Sequence, residues 1–147
     1  MKQRNSSTAA SYIRNFVFGV EDSLVSTVGL LSGIAMADVP RATIFLTGVV
    51  LVFVEAISMA AGSFLSEKSA EDFERRRETS AGRAIADGAV MFFSYFIAGF
   101  IPLGPYAFFE TTQAFWISII LSIGALFALG AATQNFRMCR FGEARFV

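Results

Sequence analysis

The sequence predicts an all-α fold, a polytopic bundle of four membrane-spanning helices. Of its 147 residues, 54% are hydrophobic and only 16% are charged, and the mean hydropathy is +0.57. The apolar residues gather into four long blocks separated by polar clusters, whereas half-buried strands would alternate over short stretches. We therefore expect a single transmembrane domain that covers residues 1–147.

Each block is long enough to cross a lipid bilayer as a helix. A helix rises about 1.5 Å per residue, so about 20 residues span a hydrocarbon layer about 30 Å thick. A transmembrane barrel would need short alternating segments, and none is visible. The first block is too long for a cleavable signal and carries two acids. The predicted spans are 12–37, 42–65, 84–103 and 114–132, with a charged cytoplasmic segment at 66–83.

Prolines mark the turns at one side of the predicted bundle. Residues 37–40 are expected to form a tight turn between the first two spans, and residues 102–105 to end the third span. Because the first of these turns is short, the first two helices should be antiparallel neighbours.

The basic residues predict the orientation in the membrane. They cluster before the first span, between the second and third, and after the fourth, while the opposite side carries only Arg41. The positive-inside rule then places both termini and the middle loop in the cytoplasm. Tyr106 and Trp116 fall at the outer boundary, where amphipathic rings prefer to lie. With the single cysteine Cys139 on the reducing side, no disulfide is expected.

Acidic residues interrupt the first two spans. Asp22 and Glu55 each lie about 15 Å from the predicted cytoplasmic surface, so they share a level in the membrane, and Glu21 adjoins them. A charge at that depth costs at least about 2.5 kcal/mol, so such residues usually mark a functional site. No Lys, Arg or His lies within the spans at that level. Either the acids are protonated or a visiting cation neutralises them.

Two neighbours indicate which cation would suit this site. Met59 follows Glu55 by four residues, and Ser26 follows Asp22 by four, so each pair shares a helical face. A thioether beside carboxylates favours Fe²⁺ or Mn²⁺ over Mg²⁺ or Ca²⁺, which prefer oxygen ligands alone. The alternative for Met59 is packing, because methionine commonly fills gaps between helices.

Small residues predict close helix packing near these acids. Gly29 and Gly33 form a small-xxx-small pair on the first span, and Gly62 thins the second span next to Met59. Close approach would bring side chains of separate helices onto one ion. The same residues could equally serve to pack the bundle.

Three segments resemble the vacuolar iron transporter family of Fe²⁺ and Mn²⁺ exporters. They are NFVFGVEDSLVSTVGLLSGIA at 15–35, EAISMAAGSFLSEKSAED at 55–72 and FFSYFIAGFIPLGPYAF at 92–108. The resemblance implies a homodimer whose first helices face each other, a metal path lined by Asp22 and Met59, and exchange of metal for protons. No permanent cofactor is expected, since the metal is the transported substrate. A prokaryotic plasma membrane is expected rather than an organelle.

The chain departs from the family pattern in two ways. Family members carry a cytoplasmic metal-binding helical domain where the short segment 66–81 stands here, and they usually have five spans. We therefore expect a short form, or a fragment, without the full domain and the fifth span. Glu67 and Glu71 remain candidates for weak metal collection, although exposed ion pairs between residues four apart would also explain this acidic stripe.

Two other classes of function remain open at this point. A proton-coupled exporter of organic cations, or a cation channel, would use Glu55 as the counter-charge of its substrate. A non-transporting membrane scaffold would use the acids only to pair across a dimer. An enzyme is not expected, because the chain has no His, no nucleophile constellation and no phosphate loop. Nothing indicates a nucleic-acid partner.

Overall fold

The computed structural model describes residues 2–75 and 82–143, and it describes side chains within 9–70, at 73 and within 82–134. These ranges contain only helices and turns. The helices are α1 (Lys2–Ala35), α2 (Arg41–Arg75), α3 (Gly82–Phe108) and α4 (Thr111–Glu143). Each contains a stretch long and apolar enough to cross a membrane, namely Ala9–Ala35, Arg41–Ala70, Gly82–Phe108 and Thr111–Gln134. The predicted all-α bundle with four spans is confirmed.

Helix α3 lies at the centre of the bundle. It packs against α1, α2 and α4, and it is the most buried of the four helices. Helices α1 and α3 run parallel, because Asn15 bonds Asp87, and Ser26, further along α1, bonds Tyr95, further along α3. Helix α2 runs antiparallel to them, with its last turns beside the start of α3. We call the end where α1 and α3 begin the basic end, since Arg14, Lys68 and Arg83 lie there.

The turn between α1 and α2 follows the sequence prediction. Helix α1 ends at Ala35, and Asp38 adopts a left-handed backbone conformation with a φ of 56°. Aspartate is among the few non-glycine residues that enter this region readily. The carbonyl of Pro40 accepts a hydrogen bond from the Thr43 N–H at 2.9 Å and so starts α2. The two helices are antiparallel neighbours as expected.

The prediction that residues 102–105 end the third span is wrong. Helix α3 continues through Pro102 and Pro105 and ends at Phe108. Prolines are tolerated inside membrane helices where neighbouring groups bond the backbone around them. Here the Ser118 hydroxyl of α4 donates to the Pro102 carbonyl at 2.7 Å, and the Phe109 N–H donates to the Pro105 carbonyl at 2.9 Å.

A hydrophobic core joins all four helices at the end opposite the basic end. It consists of Leu31, Ile44, Leu103, Tyr106 and Ala114. Tyr106 is only 1% exposed, so its ring packs in this core, whereas Trp116 is 60% exposed. Tyr106 is buried because α3 does not stop at the prolines, and its last helical turn directs the ring into the core. That both rings lie at the outer membrane boundary stays a prediction.

Among the described residues, close contacts between helices fall at glycines that were not predicted to pack, namely Gly19, Gly48, Gly88 and Gly99. A methyl group at Gly99 would lie 2.6 Å from a Val52 methyl, and one at Gly88 would lie 2.9 Å from a carbonyl oxygen of α2. The predicted packing glycines have no described atom within 4 Å of such a methyl: Gly29, Gly33 and Gly62. Their packing role is not seen within the chain and stays a prediction for contact with a second copy.

Candidate metal site

The two predicted acids lie close together between α1 and α2. Asp22 and Glu55 are both half-buried, and their charges are near enough to repel each other. Glu21 is exposed on the outer side of α1 and adds to the repulsion at Asp22. Among the described residues, the ion pair that the structure shows lies elsewhere, between Arg83 and Glu67. The negative charge at this level is therefore left without a described basic partner.

A third helix contributes a residue that the sequence analysis did not predict. Tyr95, on α3, is fully buried, and its hydroxyl donates a hydrogen bond to Oε2 of Glu55. The hydroxyl of Ser26 lies 2.7 Å from the same phenol oxygen. A phenol carries one proton, and Tyr95 donates it to Glu55, so Ser26 must be the donor in the second bond. Ser26, Tyr95 and Glu55 thus form a hydrogen-bonded chain across α1, α3 and α2.

Met59 lines a cavity of about 540 Å³ near the basic end. Its wall includes Asn15 and Phe18 of α1, Met59 of α2 and Met91 of α3. Serine hydroxyls and the carboxylate of Glu67 also line it, so the cavity is polar towards the basic end. A hydrated cation could therefore enter from that end and meet a thioether at the inner wall.

The inner wall of this cavity lies one helical turn from the acids. On each of the three helices, a residue that lines the cavity stands four positions from Asp22, Glu55 or Tyr95. Four positions correspond to about 6 Å along a helix axis. The pairs are Phe18 with Asp22, Met59 with Glu55, and Met91 with Tyr95. Met59 thus stands between the cavity and Glu55, as a ligand that passes a cation inward would.

The structure describes the side chain of one of the two residues that were predicted to collect metal. The Glu67 carboxylate forms an ion pair with Arg83 at 3.0 Å, and both side chains are partly buried. Metal collection by Glu67 would therefore have to compete with Arg83. The side chain of Glu71 lies outside the described residues. Collection of metal at this end stays a prediction.

A fully buried acid on α3 was also not predicted from the sequence. Asp87, near the start of α3, is 0% exposed. Its Oδ1 accepts hydrogen bonds from the Ser11 hydroxyl at 2.9 Å and from Nδ2 of Asn15 at 2.7 Å, while Oδ2 has no partner among the described atoms. The available signal was an acid inside the predicted third span, 84–103, which the sequence analysis did not consider.

The described residues supply an incomplete ligand set for a metal ion. No three side chains of the His, Cys, Asp or Glu types come together in the part of the chain that the structure describes. Asp22 and Glu55 offer carboxylate oxygens, and Met59 offers a thioether on the same face of α2. Divalent ions of the Mn²⁺ type prefer about six ligands. Water, hydroxyl groups or a second copy of the chain would have to complete the shell.

Comparison with known proteins identifies the family of this chain. A model of the VIT family matches residues 13–87 and 76–142. Among curated relatives, the chain is 38% identical over 69 residues to vacuolar iron transporter 1 of Tulipa gesneriana. The aligned region covers 47% of this chain and 28% of that protein. It is 29% identical over 80 residues to the vacuolar iron transporter of Toxoplasma gondii, covering 52% of this chain and 26% of that protein.

A longer alignment is found with vacuolar iron transporter 1 of Arabidopsis thaliana. It is 23% identical over 189 positions and covers 88% of this chain and 76% of that protein. With the tulip and Toxoplasma relatives, by contrast, the chain matches only about a quarter of their length. Because the family model matches most of the chain, from the first span to the fourth, this protein belongs to the VIT family.

Proposed function

We propose that this protein transports a divalent transition metal, Fe²⁺ or Mn²⁺, across a membrane through the level of Asp22 and Glu55. The observation that carries the proposal is the pair of acids from two helices at one membrane level with no described basic partner. Met59, one turn away at the wall of the cavity, adds the thioether that favours these metals over Ca²⁺ and Mg²⁺. The names of the relatives supply the support for iron.

Proton antiport would follow from competition for the same carboxylates. In a medium of low dielectric constant, an empty carboxylate pair is stabilised by protons, and a divalent cation displaces those protons when it binds. Metal and protons would then occupy Asp22 and Glu55 in turn. If the site opens to one side of the membrane at a time, this exclusion couples metal movement to proton movement in the opposite direction.

The direction that we propose is export from the cytoplasm. The cavity lies near the basic end, and the positive-inside rule assigns that end, with both termini, to the cytoplasm. Metal would enter the cavity, pass Met59 and reach the acids. We propose the plasma membrane of a prokaryote as the location, whereas the names of the relatives refer to a vacuole.

A homodimer would complete the site. Glu21 is exposed on a membrane-spanning part of α1, where a carboxylate facing lipid is costly. Gly29 and Gly33 on the same helix leave open space that a second helix could fill. A second copy facing α1 would cover Glu21 and bring another set of acids towards the same ion.

Mn²⁺ flux into proteoliposomes, measured against a pH gradient, tests the proposal. The parent chain should move Mn²⁺ and protons in opposite directions, while Asp22→Asn and Glu55→Gln should lose the flux because each removes a charged ligand. Glu110→Gln is the matched control, since it neutralises an exposed acid between α3 and α4.

The other classes of function predict different results in the same assay. An organic-cation exporter would move a cationic dye that Mn²⁺ does not displace. A scaffold would move neither, and its stability would depend on Glu55. Either pattern in the parent chain would refute metal transport.

A further inference from the structure

Tyr95 is held by α1 at both of its ends. Its backbone carbonyl accepts a hydrogen bond from the Ser23 hydroxyl at 2.7 Å, and its own hydroxyl is bonded by Ser26. The side chain is 0% exposed. Next to it, Gly99 allows α2 to approach α3 so closely that an added methyl would overlap Val52. The phenol therefore has a defined position, and it cannot turn away without breaking its bonds to Ser26 and Glu55.

This arrangement makes the two carboxylate oxygens of Glu55 unequal. Oε2 is engaged by the Tyr95 hydroxyl, whereas no described hydrogen bond occupies Oε1. Oε2 keeps one lone pair beside the tyrosine bond, so Oε1 is the more available oxygen for a cation that reaches Glu55. Binding through both oxygens would make the cation share Oε2 with the Tyr95 hydroxyl and weaken a hydrogen bond in a buried setting, where that weakening is costly.

We infer that Tyr95 is a positioning residue that favours one-oxygen coordination by Glu55 and thereby disfavours Ca²⁺ relative to Mn²⁺ and Fe²⁺. The inference rests on the proposed function, because it concerns selectivity at the same site. Ca²⁺ takes six to eight oxygen ligands, often with both oxygens of a carboxylate. Mn²⁺ and Fe²⁺ need fewer ligands and accept a mixed set. Tyr95 would thus add to the discrimination that the Met59 thioether provides.

The variant that tests the inference is Tyr95→Phe, which removes only the hydroxyl. The full-length chain in detergent is titrated with Mn²⁺, followed by the signal of free Mn²⁺ in electron paramagnetic resonance, and Ca²⁺ is then added as competitor. Hydrogen-bond partners of metal ligands typically change affinity by about 10–100-fold. We expect the ratio of the Ca²⁺ to the Mn²⁺ dissociation constant to fall by about tenfold or more in Tyr95→Phe.

Tyr106→Phe is the matched control. It removes the same atom from the same helix, but the Tyr106 hydroxyl has no hydrogen-bond partner among the described atoms, so the ratio should stay at the parent value. Ser26→Ala is the second variant, because it leaves the phenol in place and removes its donor. It should shift the ratio in the same direction by a smaller factor, and it tests the inference if Tyr95→Phe does not fold.

Three outcomes would overturn the inference, and they can be told apart. An unchanged ratio in both Tyr95→Phe and Ser26→Ala would mean that the phenol does not control how Glu55 binds. Loss of Mn²⁺ binding by more than a hundredfold in Tyr95→Phe would make the phenol oxygen a ligand instead of a positioning group. If the parent chain binds no Mn²⁺ at all, the proposed function fails, and the inference fails with it.

Discussion

Replacing Gly99 by alanine tests how tightly the three helices around Tyr95 are packed. The new methyl carbon would lie 2.6 Å from one Val52 methyl and 3.0 Å from the Ser23 hydroxyl oxygen. Carbon atoms in contact normally lie about 3.5–4.0 Å apart, so α2 must shift by about 1 Å, because a β-branched valine has few alternative rotamers. Such overpacking typically costs about 1–3 kcal/mol.

Gly99→Ala also makes a stabilising contribution to the free energy of unfolding, which must be separated from the overpacking cost. Alanine is a better helix former than glycine by about 1 kcal/mol, so the net loss for Gly99→Ala should be about 0–2 kcal/mol. Gly124→Ala is the matched control, because Gly124 lies inside α4 with no proline beside it and an added methyl there meets no described atom within 4 Å. It should gain about 1 kcal/mol. The difference between the two variants isolates the overpacking cost.

The assay is the free energy of unfolding in mixed detergent micelles, measured for the parent and both variants. We expect Gly99→Ala to be less stable than Gly124→Ala by about 1–3 kcal/mol. Because the new methyl also crowds the Ser23 hydroxyl that donates to the Tyr95 carbonyl, Mn²⁺ flux should fall in Gly99→Ala alone. Equal stability of the two variants would refute the close contact of α1, α2 and α3 at this position.

Two further predictions concern the polar contacts near the basic end. Asp87→Asn keeps an oxygen that accepts hydrogen bonds from Ser11 and Asn15. Asp87→Ala should therefore be less stable than Asp87→Asn by about 1–3 kcal/mol, and equal free energies of unfolding would contradict the buried hydrogen bonds. A double-mutant cycle of Glu67→Gln with Arg83→Gln should give a coupling energy of about 1 kcal/mol or less, because both side chains keep some contact with solvent. A coupling energy several times larger would show that the ion pair is shielded from water.

The properties that the sequence predicted correctly are those that depend on local patterns. The length of the apolar blocks was enough to predict the four spans. The rise per residue was enough to place Asp22 and Glu55 at one level. The turn around Asp38 followed from the residues in the turn itself. In each case the physical cause lies within one helix or one turn.

What the sequence did not predict depends on contacts between helices. Tyr95 stands among phenylalanines in its segment, and only the packing of α3 between α1 and α2 turns its hydroxyl towards Glu55. The prolines of α3 looked like a helix end because the lost N–H groups are a local property. The hydroxyl of Ser118, on another helix, bonds the backbone at Pro102 and helps to keep that region ordered. The burial of Asp87 likewise depends on Ser11 and Asn15 of α1.

We propose that a divalent cation neutralises Asp22 and Glu55, the two acids that have no described basic partner. The decisive measurement is anomalous scattering at the manganese edge from crystals of the protein grown with Mn²⁺. We predict a peak between Asp22 and Glu55, with carboxylate oxygens at about 2.0–2.4 Å and Met59 adjacent. A map in which Mn²⁺ binds only elsewhere, with Asp22 and Glu55 bonded to basic groups, would contradict the claim.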